Sequence, residues 1–349
     1  MNRWHVILIT MVFGALGAHA QVKPPLRLIH TTPLPGFEGG DFDHLAADVK
    51  NNRLYVAAEA HKTVEVFNLR TGERVHSIKG FMEPHGVCVV PNSDKLIVTD
   101  EDEKAGVGWV KLVNRYTYQI TDTINLPGGA DALLFDPATK YLYVRARSPA
   151  AAQTILVAII DTETFKHTGN IILPGYRSEG MAMERSGKKR LFVALTGTRE
   201  VGLVDPRTHE VIARWAVPGA TPQTAVQTLA LDEDSHRVFV ATRQPGMFLV
   251  FNVDTGQVVA SMPCVDRMDD MSFDAVRKRI YVTGAPWTSV FQERDPNHYE
   301  YVAHIPTGID GQEGKTSIFV PELNRLYVVQ SGEVKPQASV GLMVFEAAH

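Results

Sequence analysis

The chain has 349 residues, of which 44% are hydrophobic and 21% charged, a balance that excludes a disordered chain and a polytopic membrane protein. Its formal net charge of −4 provides no global field to draw it to nucleic acid or an anionic membrane. Two cysteines, Cys88 and Cys264, are too few for a disulfide scaffold or a Cys-rich zinc or iron–sulfur protein, and both read as small buried hydrophobes.

Taken in chain order, the first twenty residues form an address. Arg3 precedes an apolar run from Val6 to Gly17, and Ala18-His19-Ala20 follows as a small-residue cleavage site. That pattern predicts a signal peptide over 1–20, cut after Ala20, and a periplasmic or secreted protein with no membrane insertion after cleavage. Residues 21–349 then form a single domain.

The rest is periodic. One phrase recurs as Arg53-Leu-Tyr-Val-Ala, Lys95-Leu-Ile-Val-Thr, Tyr141-Leu-Tyr-Val-Arg, Arg190-Leu-Phe-Val-Ala, Arg237-Val-Phe-Val-Ala, Arg279-Ile-Tyr-Val-Thr and Arg325-Leu-Tyr-Val-Val. Its second residue falls at 54, 96, 142, 191, 238, 280 and 326, at intervals of 42 to 49 residues. A short apolar run lies upstream of each copy, as in Gly86-Val-Cys-Val-Val. An alternating strand lies downstream, as in Thr63-Val-Glu-Val-Phe, followed by a Thr-Gly turn and a fourth strand. Four short strands per unit predict an all-β protein with little helix, a seven-bladed β-propeller of four-stranded antiparallel blades. The seventh unit stops one strand short, so residues near 26–32 are expected to pair with the strand at 339–346 and close the ring. Closure leaves no open sheet edge, and the chain is expected to be a monomer.

These repeats resemble the YVTN-repeat family of seven-bladed propellers, and exported YncE-like proteins in particular. The carriers are the Leu/Ile-Tyr-Val-Ala/Thr strand, the Thr-Gly turn and Pro84-His-Gly-Val-Cys-Val-Val-Pro-Asn-Ser-Asp-Lys-Leu-Ile-Val-Thr, over residues 26–346. The resemblance implies the fold far more sharply than a function.

Propellers usually bind at the end of the channel where the inner strands begin. Aligning the repeats puts Asp43, His85, Asp131, Glu179, Gln227, Asp269 and Lys315 at the opening of the seven inner strands, with His44 and Asp270 adjacent. The loops after the second strands add Glu59, Glu101, Arg147, Thr196, Arg243, Ala285 and Ser331, with Arg145, Arg177 and Arg267 nearby. Asp43, His44, His85, Asp131, Glu179, Gln227, Asp269, Lys315, Arg147 and Arg243 are therefore the candidate ligand-binding residues at the channel mouth. Oxygen and imidazole donors on consecutive blades suit Zn²⁺, Mn²⁺, Fe²⁺ or Ca²⁺, which makes Asp43, His85 and Asp131 candidate ligands for a divalent metal, the one cofactor expected. Arginine forks on blades 3–5 suit a carboxylate or phosphate. The acidic run Asp100-Glu-Asp-Glu reads as a solvated loop. His61, His76, His167, His209, His236 and His298 read as surface residues, and Trp109, Trp215 and Trp287 as packing between blades.

The function this supports is binding of a small ligand or protein partner at the channel mouth, without chemistry. No Gly-x-Ser-x-Gly elbow points to a hydrolase nucleophile. Two alternatives come with the likeness to other propellers: a metal-dependent lactonase or esterase, and a propeller subunit of a periplasmic quinone-dependent dehydrogenase. Net acidity and the lack of a basic–aromatic stripe speak against single-stranded nucleic acid.

Overall fold

The recurring phrase forms a strand that is apolar on both faces. In Arg53–Ala58, every residue from Leu54 to Ala58 is buried, because a blade's second strand is sandwiched between neighbouring blades and has no solvent face. The fourth strands behave differently: Glu210–Ala216 alternates exposed and half-buried positions along its length, as an outer strand with one wet side does. In the computed structural model, which describes residues 23–146, 154–308, 313–332 and 340–348, these strands assemble into seven four-stranded antiparallel sheets. The proposed leader and Arg147 lie outside the described residues.

Blades 1 to 6 follow in order. Their first strands are Leu45–Asp48, Pro84–Val89, Ala130–Asp136, Met181–Met183, Ala225–Asp232 and Asp270–Asp274. Blade 7 takes three strands from the C-terminal part, Glu313–Val320, Arg325–Ser331 and Gly341–Ala347, and its outer strand from Leu26–Pro33. The closing pair is antiparallel, running from Leu26 opposite Ala347 to Pro33 opposite Gly341. First strands of adjacent blades touch all round the ring, including blade 7 with blade 1. The apolar core is accordingly divided into seven clusters, one in each seam between blades. Helix is confined to two short 3₁₀ turns among the described residues, Glu59–His61 and Pro321–Leu323.

The outer hairpins explain the Thr-Gly signal. In blade 1 the Asn68 side-chain oxygen accepts the amides of Arg70 and Thr71 at 3.0 and 3.1 Å, and Gly72 takes φ +76°. Blade 5 repeats this with Asn252, Asp254, Thr255 and Gly256 at φ +71°. An Asx turn followed by a left-handed glycine reverses the chain within a few residues.

Three expectations need correction. Asp100 and Glu101 do not belong to a solvated loop: the strand Lys95–Asp102 carries both into the interior, where they are buried. Asp100 accepts the amides of Met82 and Glu83 at 2.9 and 2.8 Å and pairs with Lys111 at 2.6 Å, and those partners hold a carboxylate there. His61 is half-buried against Phe37, with ring centroids 4.7 Å apart. Cys264 is only half-buried, while Cys88 is buried; both are free thiols. Trp215 does pack between blades, stacked on Phe251 of blade 5 at 6.0 Å.

Candidate functional site at the channel mouth

Because the blades are related by rotation about one axis, residues at one register of each first strand converge on one end of the channel. Asp43, His85, Asp131, Glu179, Gln227, Asp269 and Lys315, one from each blade, line a single cavity of about 840 Å³, with His44 and Arg243 among the other lining groups. Arg145 and Arg177 also reach it, whereas exposed Arg267 does not line it. Of the second-strand set, Glu59 lines the cavity and Glu101 sits buried behind His85. Thr196 turns away to donate to the Val226 carbonyl at 2.6 Å.

Blades 6, 1 and 2 build an alternating acid–imidazole chain. His44 donates from Nδ1 to Asp270 Oδ1 at 3.0 Å, and its Nε2 lies 3.5 Å from Asp43 Oδ1. His85 donates from Nδ1 to Asp43 Oδ2 at 2.7 Å, and its Nε2 lies 3.5 Å from Glu101 Oε1. Burial works against charge on either ring, but the surrounding carboxylates outweigh it. His44 is pushed up to about 10 by Asp43 and Asp270, and His85 to about 10 by Asp43 and Glu101. Burial likewise opposes ionisation of Asp43, yet His44, His85 and Lys315 hold its carboxyl far below the usual range.

Blades 3 to 5 contribute the arginines. Buried Arg145 bridges Asp131 and Glu179, reaching Glu179 at 3.1 Å, and Arg177 adds a bond to Glu179 from Nε at 2.8 Å. Despite the opposing effect of burial, these two guanidinium groups hold the Glu179 carboxyl below its ordinary value. Arg243 pairs with Asp269 and donates to the Met268 carbonyl at 2.6 Å. Asp269 also accepts from Gln227 Nε2 at 3.0 Å and lies 3.5 Å from Lys315, which pairs with Asp41. Burial nevertheless keeps the Asp269 carboxyl raised, with Asp43 adding to it.

Alignment left out Asp41, Glu103 and Tyr176, which also line the cavity. The signal for Asp41 is its place two residues before Asp43 in an extended segment, where a period of two returns to the same side. Tyr176 has no comparable mark. Asp43, His85 and Asp131 each offer a ligand atom, all within 4.8 Å of one another.

No family profile matches the chain, and no curated protein does. Among solved structures, it is similar to a chain in a crystal structure of the mitotic checkpoint complex, with a TM-score of 0.74 and 16% identity, covering 99% of this chain and 100% of that one. It is also similar to a chain of Kuenenia stuttgartiensis hydrazine synthase, with a TM-score of 0.69 and 15% identity, over 94% and 98% of the two chains. At such identities these likenesses show the β-propeller fold alone.

Proposed function

We propose that this chain is an exported, YVTN-type propeller that binds a small molecule bearing an anionic group at its channel mouth, with no reaction of its own. The observation that supports this most is the cavity of about 840 Å³ into which all seven blades send a polar side chain. Within it most charges are already matched in pairs. The Arg177 side chain is different, being 55% exposed and bonded to Glu179 through Nε, which leaves the outer edge of its guanidinium for a carboxylate or phosphate. A thermal-shift screen of small carboxylates and phosphates tests it: a binder should raise the Tm of the wild type and not of Arg177→Ala. No stabilisation by any anion would reject the reading. Mass spectrometry of the secreted or periplasmic protein tests export, with Gln21 expected as the first residue.

A second reading, a divalent cation at Asp43, His85 and Asp131, is favoured by the closeness of their ligand atoms. The His85–Asp43 hydrogen bond and the Arg145–Asp131 pair occupy those same groups, so a cation must displace a proton and loosen an arginine. If it does, His85→Ala and Asp131→Ala each abolish binding of added Zn²⁺ or Mn²⁺ while the protein stays folded. Unchanged metal content and Tm in both variants, and with chelator, would end this reading.

A further inference from the structure

The basic residue that opens the second strand in six of the seven blades is an arm between blades. Arg53 reaches Tyr118 Oη at 3.4 Å, Lys95 the Glu163 carbonyl at 3.0 Å, and Arg190 the Val253 carbonyl at 2.5 Å. Arg237 reaches the Pro296 carbonyl at 2.8 Å, Arg279 the Ala348 carbonyl at 2.6 Å, and Arg325 the Arg70 carbonyl at 2.7 Å. Each target is the turn between the third and fourth strands of the next blade, and in blade 7 it is the point where the two chain ends meet. Blade 3 breaks the series with Tyr141, so no arm arrives at the turn holding Pro206 and Arg207 in blade 4.

A cavity of about 380 Å³ occupies that seam, lined by Tyr141, Ile159, Met183 and Pro206 and by the carboxylate of Asp136. Asp136 is only 7% exposed. Corresponding carboxylates at the ends of other first strands each hold a cation: Asp48 with Arg115 at 3.1 Å, Glu184 with Arg190 at 2.7 Å, Asp232 with Lys278 at 2.7 Å and Asp274 with Arg277 at 3.0 Å. Asp136 instead accepts from the Ala138 amide and the Thr139 hydroxyl, with no cation among the described residues. Tyr143, on the same strand as Tyr141, keeps its hydroxyl buried without a hydrogen-bond partner.

We infer that the seam between blades 3 and 4 is a binding slot for a guanidinium or primary ammonium on an alkyl stem, with Asp136 as its counter-charge. The slot has the position of a missing arm, and buried Ile159 and Met183 suit an aliphatic stem. The rim carries four basic residues, Arg185, Lys189, Arg207 and His209. Arg207 is forked onto Asp205 at 2.9 and 2.6 Å, exposed Arg185 and Lys189 are screened by solvent where buried Asp136 is not, and half-buried His209 forms no ion pair with Asp136 among the described residues. The cation belongs either to a free small molecule or to a Lys or Arg side chain of a polypeptide, and both present the same chemistry.

The test titrates full-length protein with butylguanidinium and with acetyl-Leu-Arg-Leu-amide, following backbone amide shifts of Ala138, Lys189 and Arg207. Saturable shifts are expected, weakened about tenfold or more by Asp136→Asn. Tyr141→Arg, which restores the arm, should abolish them and raise the Tm. Binding of butylguanidinium as tight as the peptide points to a small-molecule cation, and peptide binding about tenfold tighter or more to a polypeptide. The slot is rejected if neither probe shifts these amides, or if Tyr141→Arg binds as the wild type does.

Discussion

Glu179 shows how the channel mouth stays folded with so many charges inside. Its carboxylate is clamped by Arg145 at 3.1 Å and Arg177 at 2.8 Å, and a pair this buried is costly to break from one side, because the partner left behind is desolvated and unmatched. Glu179→Gln is therefore expected to cost about 3 kcal/mol at neutral pH. The pH dependence has a definite sign. The folded carboxyl titrates below its ordinary 4.5, so the stability it contributes is complete above that value and is lost as pH falls through the lower, folded one. Urea melts between neutral pH and about pH 3 should show wild type and Glu179→Gln converging as the pH falls. A constant gap across that range would mean that the ion pair contributes nothing. The bond on Leu69 is a neutral counterpart: Tyr327 Oη donates to its carbonyl at 2.5 Å across the seam between blades 7 and 1. Tyr327→Phe should lower stability by about 1–2 kcal/mol, read from the same melts with no pH dependence near neutrality.

At the scale of strands and turns, the outer hairpin of blade 5 is locked from two directions. Gly256 sits at φ +71°, and a Cβ there would lie 2.4 Å from Trp215 Nε1. Trp215 cannot move freely, being stacked on Phe251 and tilted against Phe192 at 5.9 Å. Gly256→Ala should destabilise by about 2–3 kcal/mol through strain and overpacking together. Gly106→Ala, with nothing within 4 Å at φ +66°, should cost about 1 kcal/mol. Equal midpoints for the two in urea would refute the packing half of this account. The turn itself was legible in the sequence, because Asn-x-x-Thr-Gly encodes both the side-chain acceptor and the left-handed residue. The second strands were legible for a related reason, since burial on both faces demands an unbroken apolar run. Asp100 and Glu101 were not: what admits Asp100 to the interior is Lys111 and two amides of the preceding turn, and Glu101 lies against His85 of the neighbouring strand, none of them marked in the local pattern. The channel-mouth residues could be named by register alone. Which carboxylate takes which arginine could not, since that depends on how neighbouring blades are rotated against each other. Tyr141 was visible as the odd member of the repeat, but the gap it leaves exists only in three dimensions.

For the molecule as a whole, the consequential choice is to build blade 7 from both ends of the chain. Leu26–Pro33 covers Gly341–Ala347 along its length, and Leu26 enters the same apolar cluster as Tyr281, Met343 and Phe345 in the seam between blades 6 and 7. The Arg279 arm fastens the junction through the carbonyls of Ala348 and Pro25. Removing residues 21–33 would strip an edge, expose the apolar side of Gly341–Ala347 and free one acceptor of that arm. In a ring where each blade packs only on its neighbours, such damage is not local, because both flanking seams lean on blade 7. The truncated protein is expected to lose about 5 kcal/mol, or roughly 10 °C in Tm, and to dimerise or aggregate through the bare edge. A synthetic peptide spanning residues 24–34, added in trans, should restore the Tm in a concentration-dependent way. Truncation without loss of Tm, or a scrambled peptide that rescues as well as the native one, would show that the ring holds without its N-terminal strand.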